Sequence, residues 1–201
     1  FITLNTSEEE LISYWRNNVA FNVNLFAGNM ALGGARPTLF SVQITNPING
    51  SADIQVPFMV KGSSIPAATL GMIELPYFGR KVKIAGDRTY EDWTTSVLND
   101  EDFGIRNAIE EWSHAINTPV GNVANLGSAS PSQYKSDAQI TQFSKTGIPI
   151  RTYNFVGLWP TTVAAIELAW DSNDQIEEFE VTWAYDYWEI QSGITGNGGT
   201  S

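Results

Sequence analysis

The chain has 201 residues, enough to bury a core of its own, and 42% are hydrophobic and 12% aromatic, with seven Trp among them. Its 22 acidic and 11 basic residues leave a net charge of −11, which argues against a nucleic-acid-binding module, because neutralising phosphates needs clustered Lys and Arg. There is no Cys, so disulfides and thiolate metal sites are excluded, and the single His114 cannot build a His-rich site. Charged residues make up only 16%, low for a surface wholly in water, which implies that other copies cover part of it.

Thr6 or Ser7 can cap a short helix with Glu8, Glu9 and Glu10 in its first turn, where the dipole favours acids, and Leu11, Tyr14, Trp15 and Asn18 follow at helical spacing. Phe21 to Phe26 is expected to be extended, and Gly28, Gly33 and Gly34 form a flexible join. Phe40, Val42 and Ile44 then alternate with Ser41, Gln43 and Thr45, the period of a half-buried strand. Asn46-Pro47-Ile48-Asn49-Gly50 reads as a turn. A second strand fits Ile54 to Lys61, at an edge or bulge because Pro57 has no ladder donor. Met72 to Phe78 and Lys81 to Ala85 are further extended pieces, and a tight Gly86-Asp87 turn leads into Thr89 to Leu98.

One helix stands out. Asn99 or Asp100 can serve as its N-cap, with Glu101 and Asp102 in the first turn, and Ile105, Ala108, Ile109, Trp112 and Ile116 mark one apolar face. Thr118-Pro119 ends it, and His114 falls on the solvated side beside Glu110 and Glu111. Val120 to Tyr134 is a long Gly, Ser, Asn and Pro-rich loop, a length that usually carries function. Ala138 to Lys145 and Ile148 to Val156 read as a hairpin about Thr146-Gly147. The strongest strand runs through Phe179, Val181, Trp183, Tyr185 and Tyr187, alternating with Glu180, Thr182, Ala184 and Asp186. Residues 191–201 are Gly, Thr and Ser-rich and are expected to be disordered when free.

No set of residues reads as chemistry. Glu91 with Asp92, or the acids from Glu177 to Glu180, could be nominated as a glycosidase pair, but they are better read as the wet faces of strands. Asp171, Asn173 and Gln175 have the first spacings of a calcium loop, yet Ile176 stands where that loop requires Gly. The expectation is no enzyme, no cofactor and no metal. No run of about 18 apolar residues suggests a membrane anchor, and no signal-peptide pattern is present, so a soluble protein made in a cytoplasm is expected. Phe1 in place of Met implies a processed or trimmed start.

Two dense cassettes carry a resemblance. One is Ala85-Gly86-Asp87-Arg88-Thr89-Tyr90-Glu91-Asp92-Trp93-Thr94, followed by Asn99-Asp100. The other runs from Gly157-Leu158-Trp159-Pro160-Thr161 through Trp170-Asp171-Ser172-Asn173 to Phe179-Glu180-Val181 and Tyr185-Asp186-Tyr187-Trp188-Glu189. In wording, order and spacing these resemble the tail tube proteins of contractile-tailed, myovirus-type bacteriophages. The resemblance starts near Arg36-Pro37-Thr38-Leu39-Phe40 and covers a tail-tube β domain (37–190); an N-terminal extension (1–36) and a flexible Gly-rich tail (191–201) lie outside it. It implies a mainly β fold, a β-sandwich or small β-barrel with one packed α-helix, whose sheets join between subunits into the inner barrel of a hexameric ring. Rings would stack head to tail inside a contractile sheath. The implied partners are other copies, the sheath protein, a tape measure protein, baseplate and terminator proteins, and DNA passing without specific binding. The place would be the virion tail, assembled in the host bacterial cytoplasm. A tube-initiator or secretion-system relative, and a glycan-binding β-sandwich using exposed Trp, are the alternatives; Trp188 is the one Trp expected to be exposed.

Three site expectations follow. Gly121, Asn122, Asn125, Gly127 and Ser128 belong to a loop expected to reach a neighbouring ring. Lys81, Lys83 and Arg88 lie in a base-rich segment with Lys61 and Arg80, whereas after Arg151 there are eight acids and no base, so Lys81, Lys83 and Arg88 of one subunit are expected to face Asp171 and Asp174 of another. An acidic or neutral bore would repel the DNA backbone where a basic one would bind it, and Glu91, Glu178, Glu180 and Asp186 are its candidate linings.

Overall fold

A computed structural model describes residues 23–30, 33–124, 130–191 and 195–196. It divides into two compact units, Phe1–Arg36 and Pro37–Ser201. In the first unit a helix, α1, spans Val23–Asn29. This corrects the extended reading of Phe21 to Phe26: Leu25 and Ala27 are strong helix formers and Val23 is the one β-branched residue of the segment. The expected helix from Thr6 to Asn18 lies outside the described residues.

The second unit opens with β1 (Phe40–Ile44), a 3₁₀ turn (Gly50–Ala52), the short helix α2 (Val56–Met59) and β2 (Val60–Ser63). The strand expected over Ile54 to Lys61 is therefore helix over Val56–Met59 and strand only from Val60. Pro57, a poor strand residue, takes up the first turn of α2, where its missing N–H costs nothing. Next come β3 (Ala68–Tyr77), β4 (Arg80–Tyr90) and β5 (Trp93–Leu98). Helix α3 (Gly104–Ile116) and the four-residue α4 (Pro131–Tyr134) precede β6 (Ser136–Phe143), β7 (Pro149–Val163), β8 (Glu178–Ala184) and β9 (Tyr187–Gln191).

The main architecture is two sheets that share β7. The first part of β7 pairs with β6 on one edge and β9 on the other, and β6 pairs onward to β1. We call this sheet I. The last part of β7 pairs with β8, which pairs with β5, which pairs with β2, forming sheet II. All these pairings are antiparallel. The two sheets close on one core, in which Trp93 of β5 stacks on Phe155 of β7 at 4.6 Å between ring centroids. Trp183 of β8 lies between Trp93 and Trp112 of α3. The indole N–H groups of Trp93, Trp112 and Trp183 donate to Ser63 Oγ, the Tyr134 carbonyl and Thr95 Oγ1, so the aromatic bulk is buried with its polar handles satisfied.

α3 buries Ile105, Ala108, Ile109 and Trp112, the face expected from the spacing, and His114 is exposed. Its start differs from the expectation. Asn99 and Asp100 are not caps: Phe103 occupies the cap position in the left-handed region, at φ 54°, and Asp102 Oδ1 accepts from the Gly104 N–H at 2.9 Å. Asn99 instead is buried and donates to Glu177 Oε2 at 3.0 Å.

Two further expectations are corrected. Gly86-Asp87 is not a turn but lies inside β4, at a bulge opposite Gly71. A Cβ on Gly71 would stand 3.0 Å from the Asp87 carbonyl oxygen, so the glycines permit a close backbone approach rather than a reversal. The single strand from Phe179 to Tyr187 is two strands. β8 ends at Ala184, the chain steps through Tyr185-Asp186, and β9 joins the other sheet. Of the tail, Gln191 ends β9 and Thr195 Oγ1 donates to the Ile150 carbonyl.

Candidate assembly surfaces

β3 and β4 form a two-stranded sheet of their own. They are joined by a two-residue turn, Phe78-Gly79, with φ values of 42° and 80° between the paired Tyr77 and Arg80. Two positive φ values make the mirror-image turn that suits the twist of a hairpin. At its base Tyr90 packs edge-on against Tyr185 and Trp188. Beyond that base every residue is exposed except Gly71 and Gly86.

The register shows the hairpin to be amphipathic. Ile73 pairs with Ile84 and Leu75 with Val82, which puts these four apolar side chains on one face. Glu74 pairs with Lys83 and Pro76 with Lys81 on the other, where Lys81 Nζ also bridges to Glu74 at 2.6 Å. The four apolar residues are each about half exposed, from 46% for Ile84 to 52% for Ile73. The face is apolar, and none of the described residues of this unit covers it.

The outward face of sheet I has a different character. Ser41, Thr141, Thr152 and Gln191 form one cross-strand row, and Gln43, Gln139, Asn154 and Glu189 form the next. Thr141 and Thr152 share a hydroxyl hydrogen bond at 3.2 Å. The inward residues of the same strands, including Val42, Ile44, Ala138, Ile140 and Phe155, are buried. These two rows carry no base and a single acid.

The nominated residues are not all brought together. Lys81, Lys83 and Arg88 lie on the exposed hairpin, which leaves sheet II where β2 ends and β5 begins. Asp171 and Asp174 are exposed in the loop from 164 to 177, which joins β7 to β8 at the other end of that sheet. The two charge sets therefore sit at opposite ends of one chain. Of the bore candidates, Glu178 and Glu180 share the outward face of sheet II, where Glu178 is paired with Lys61. Asp186 lies between β8 and β9 and accepts from Lys135 Nζ at 2.6 Å, and Glu91 is at the hairpin base, its carbonyl bonded by Tyr185 Oη. These four acids do not share a face.

In the nominated loop, Gly121 and Asn122 belong to a tight turn after α3. Asn122 has φ 47° and its Oδ1 accepts from Asn117 Nδ2 at 2.7 Å. Asn125, Gly127 and Ser128 lie outside the described residues. Val120 is fully exposed beside this turn.

The glycan reading turned on where the tryptophans point. Trp93, Trp112 and Trp183 are buried, and Trp188, expected to be exposed, is half-buried against Tyr90 and Tyr153. The strand breaks after Ala184, so the alternation of β8 does not carry through to Trp188. Among the described tryptophans, Trp170, in the 164–177 loop, is fully exposed. Among the described residues, no group of His, Asp and Glu is placed to hold a metal ion, and no helix is long and apolar enough to cross a membrane.

Residues 20–191 match the family model described as phage tail tube protein, so the match also takes in residues 20–36. The chain is 37% identical to the tail tube protein gp19 of Enterobacteria phage T4 over 156 residues, covering 77% of this chain and 91% of that one. It is 28% identical to the baseplate tail-tube junction protein gp54 of the same phage, but over 109 residues and only 32% of that protein. In fold it is similar to a chain of the sheath-tube complex of an extracellular contractile injection system (PVC) in its extended state. The TM-score is 0.59 at 17% identity, covering 83% of this chain and 97% of that one. A two-sheet fold and a family match over most of its length agree: the chain belongs to the phage tail tube protein family and is a structural subunit, not an enzyme.

Proposed function

We propose that this subunit closes into hexameric rings that stack head to tail as the tube of a contractile tail, built in the host cytoplasm. The sheath protein surrounds that tube, baseplate and terminator proteins cap its ends, and a tape measure protein and then DNA occupy its bore. The observation that carries this reading is the uncovered apolar face of the hairpin, Ile73, Leu75, Val82 and Ile84. A two-stranded hairpin alone is marginal in water, and a contiguous exposed apolar face marks an interface. A second copy supplies the cover. The outer edges of β1 and β9 are the natural seams of a ring, because closure removes open strand edges.

The bore wall is the outward face of sheet I in this reading. Its Ser, Thr, Gln and Asn rows, with Glu189, offer DNA no cation to release counterions against. This moves the wall away from Glu178 and Glu180, which stand on sheet II beside Lys61. The turn at Gly121 and Asn122 and the segment after it reach a neighbouring ring.

The test is assembly of the purified chain, viewed by negative-stain microscopy, against the double variant Ile73→Asp/Val82→Asp. Both residues are half exposed, so the variant keeps its circular dichroism and melting temperature within a few degrees. It forms neither rings nor tubes. A variant that assembles as well as the parent chain would refute the role of the hairpin.

A further inference from the structure

The tip of the hairpin is costly to keep. Phe78 is 91% exposed and holds φ 42°, a left-handed conformation that this turn normally assigns to Asn or Gly. Tyr77 packs edge-on against it at 4.7 Å, and Arg80, after Gly79, pairs with Tyr77 across the turn, so the tip is an aromatic knob with a cation at its side. Strained, exposed, bulky residues of this kind gather at binding sites. Ten residues of β3 at about 3.3 Å each carry the knob roughly 30 Å along the strand.

The opposite end of sheet II holds a matching hollow. An open cavity of about 610 Å³ lies between the end of β5, the approach to α3 and the approach to β8. Met59, Leu98, Phe103 and Ile176 give it apolar walls. Asp100, Glu101 and Glu177 rim it. Phe103, like Phe78, holds a left-handed backbone, at φ 54°, and stays 40% exposed. The register fixes the separation of the two features. Trp93 at the start of β5 pairs with Trp183, on the hairpin side, and Leu98 at its end pairs with Glu178, on the cavity side.

We infer that the Phe78 knob of one copy seats in the Met59–Phe103–Ile176 cavity of the next copy, with Arg80 meeting the Glu101 and Asp100 carboxylates. The occupant is another copy because the chain itself presents the complementary shape and charge, aromatic and basic at one end, apolar and acid-rimmed at the other. Knob and cavity lie at opposite ends, so the contact is heterologous: each copy gives one knob and receives one, and the contact repeats along the strand direction without saturating. That gives a stack its direction. The inference rests on the tube reading and adds the element that joins successive copies.

The chain has no Cys, so introduced thiols report only on each other. Arg80→Cys on one tagged chain and Glu101→Cys on a second, differently tagged chain are mixed, assembled and oxidised. The expected product is a disulfide-linked species carrying both tags, absent when either variant is used alone. The chain bearing both substitutions gives a ladder of multimers. In parallel, Phe78→Asp, at a site exposed enough to leave the fold intact, keeps rings but lowers the yield of sedimentable tubes by about tenfold or more. Tubes that form without the cross-link, or a Phe78→Asp chain with undiminished tubes, overturn this contact and leave the tube reading standing. A parent chain that never assembles overturns the tube reading and this contact with it.

Discussion

The sandwich and the β3–β4 hairpin use the same kinds of residue and treat them in opposite ways. In β5 and β8 the alternation is closed by the chain itself: Trp93, Val97, Phe179, Val181 and Trp183 are all within 2% of full burial. In β3 and β4 the alternation is just as regular, yet Ile73, Leu75, Val82 and Ile84 stay half exposed. A strand pattern thus says that a face will be covered but not by which molecule. Where the partner is the same chain, the burial stabilises the subunit; where it is another copy, the same burial is held back until assembly.

Trp183→Ala tests the sandwich side of this contrast and has the largest expected effect. It removes the ring between Trp93 and Trp112 and leaves the fully buried Thr95 hydroxyl without its indole donor. A Trp truncated in a core costs about 3–5 kcal/mol, and the stranded hydroxyl adds to it. Against a typical total of about 5–15 kcal/mol, urea unfolding should show a chain at or past the edge of stability. The hairpin double variant proposed above does the reverse, losing assembly and keeping stability. If both changes lowered the urea midpoint alike, the two regions would not differ as argued.

Gly157→Ala probes the seam where β7 passes from sheet I to sheet II. Gly157 is buried at φ 73°, just after Val156, which pairs with Tyr187, and before Trp159, which pairs with Ala184. An added Cβ would overlap the Asp186 carboxylate, which holds Lys135. Backbone strain plus that displacement should cost about 1–3 kcal/mol, read as a shift of the urea midpoint. A loss below about 0.5 kcal/mol would mean that the crossing yields easily.

What could be read in advance followed local rules. The apolar face of α3 and the inward row of β8 needed only a period of 3.6 or 2, and both were found. The start of α3 was misread because Asn99 and Asp100 are good caps by type, but Asn99 is taken up by Glu177, 78 residues away. The hairpin turn was missed because Phe78-Gly79 lacks the Asn or Asp that announces such turns, while Gly86 looked like a turn and is a site of close strand approach. The apolar cavity has no linear signature at all: Met59, Phe103 and Ile176 come from three separate stretches of chain. The charge split was visible as composition, but only the strand register showed that the bases and acids lie at opposite ends.

The smallest effect concerns the junction between sandwich and hairpin, where Tyr185 packs on Tyr90 and Phe155 and donates to the Glu91 carbonyl at 2.6 Å. Burial raises its pKa above the ordinary 10.0, and the nearby Asp92, Tyr90 and Glu91 add to the rise. The sign follows from linkage. Below pH 10 the hydroxyl is protonated in both the folded and unfolded chains and the group adds no pH dependence. As the pH passes 10 the unfolded chain gives up the proton first while the folded chain keeps it, so stability falls with rising pH until the folded group also ionises. The comparison is with Tyr185→Phe, which removes this one hydroxyl and leaves every other group in place. That variant loses one hydrogen bond at neutral pH, about 0.5–1.5 kcal/mol, but its melting temperature should decline less steeply between pH 9.5 and 11 than that of the parent chain. Parallel profiles would show that the Tyr185 hydroxyl is as free to ionise as one in water, and that the hairpin base is looser than the sandwich it is anchored to.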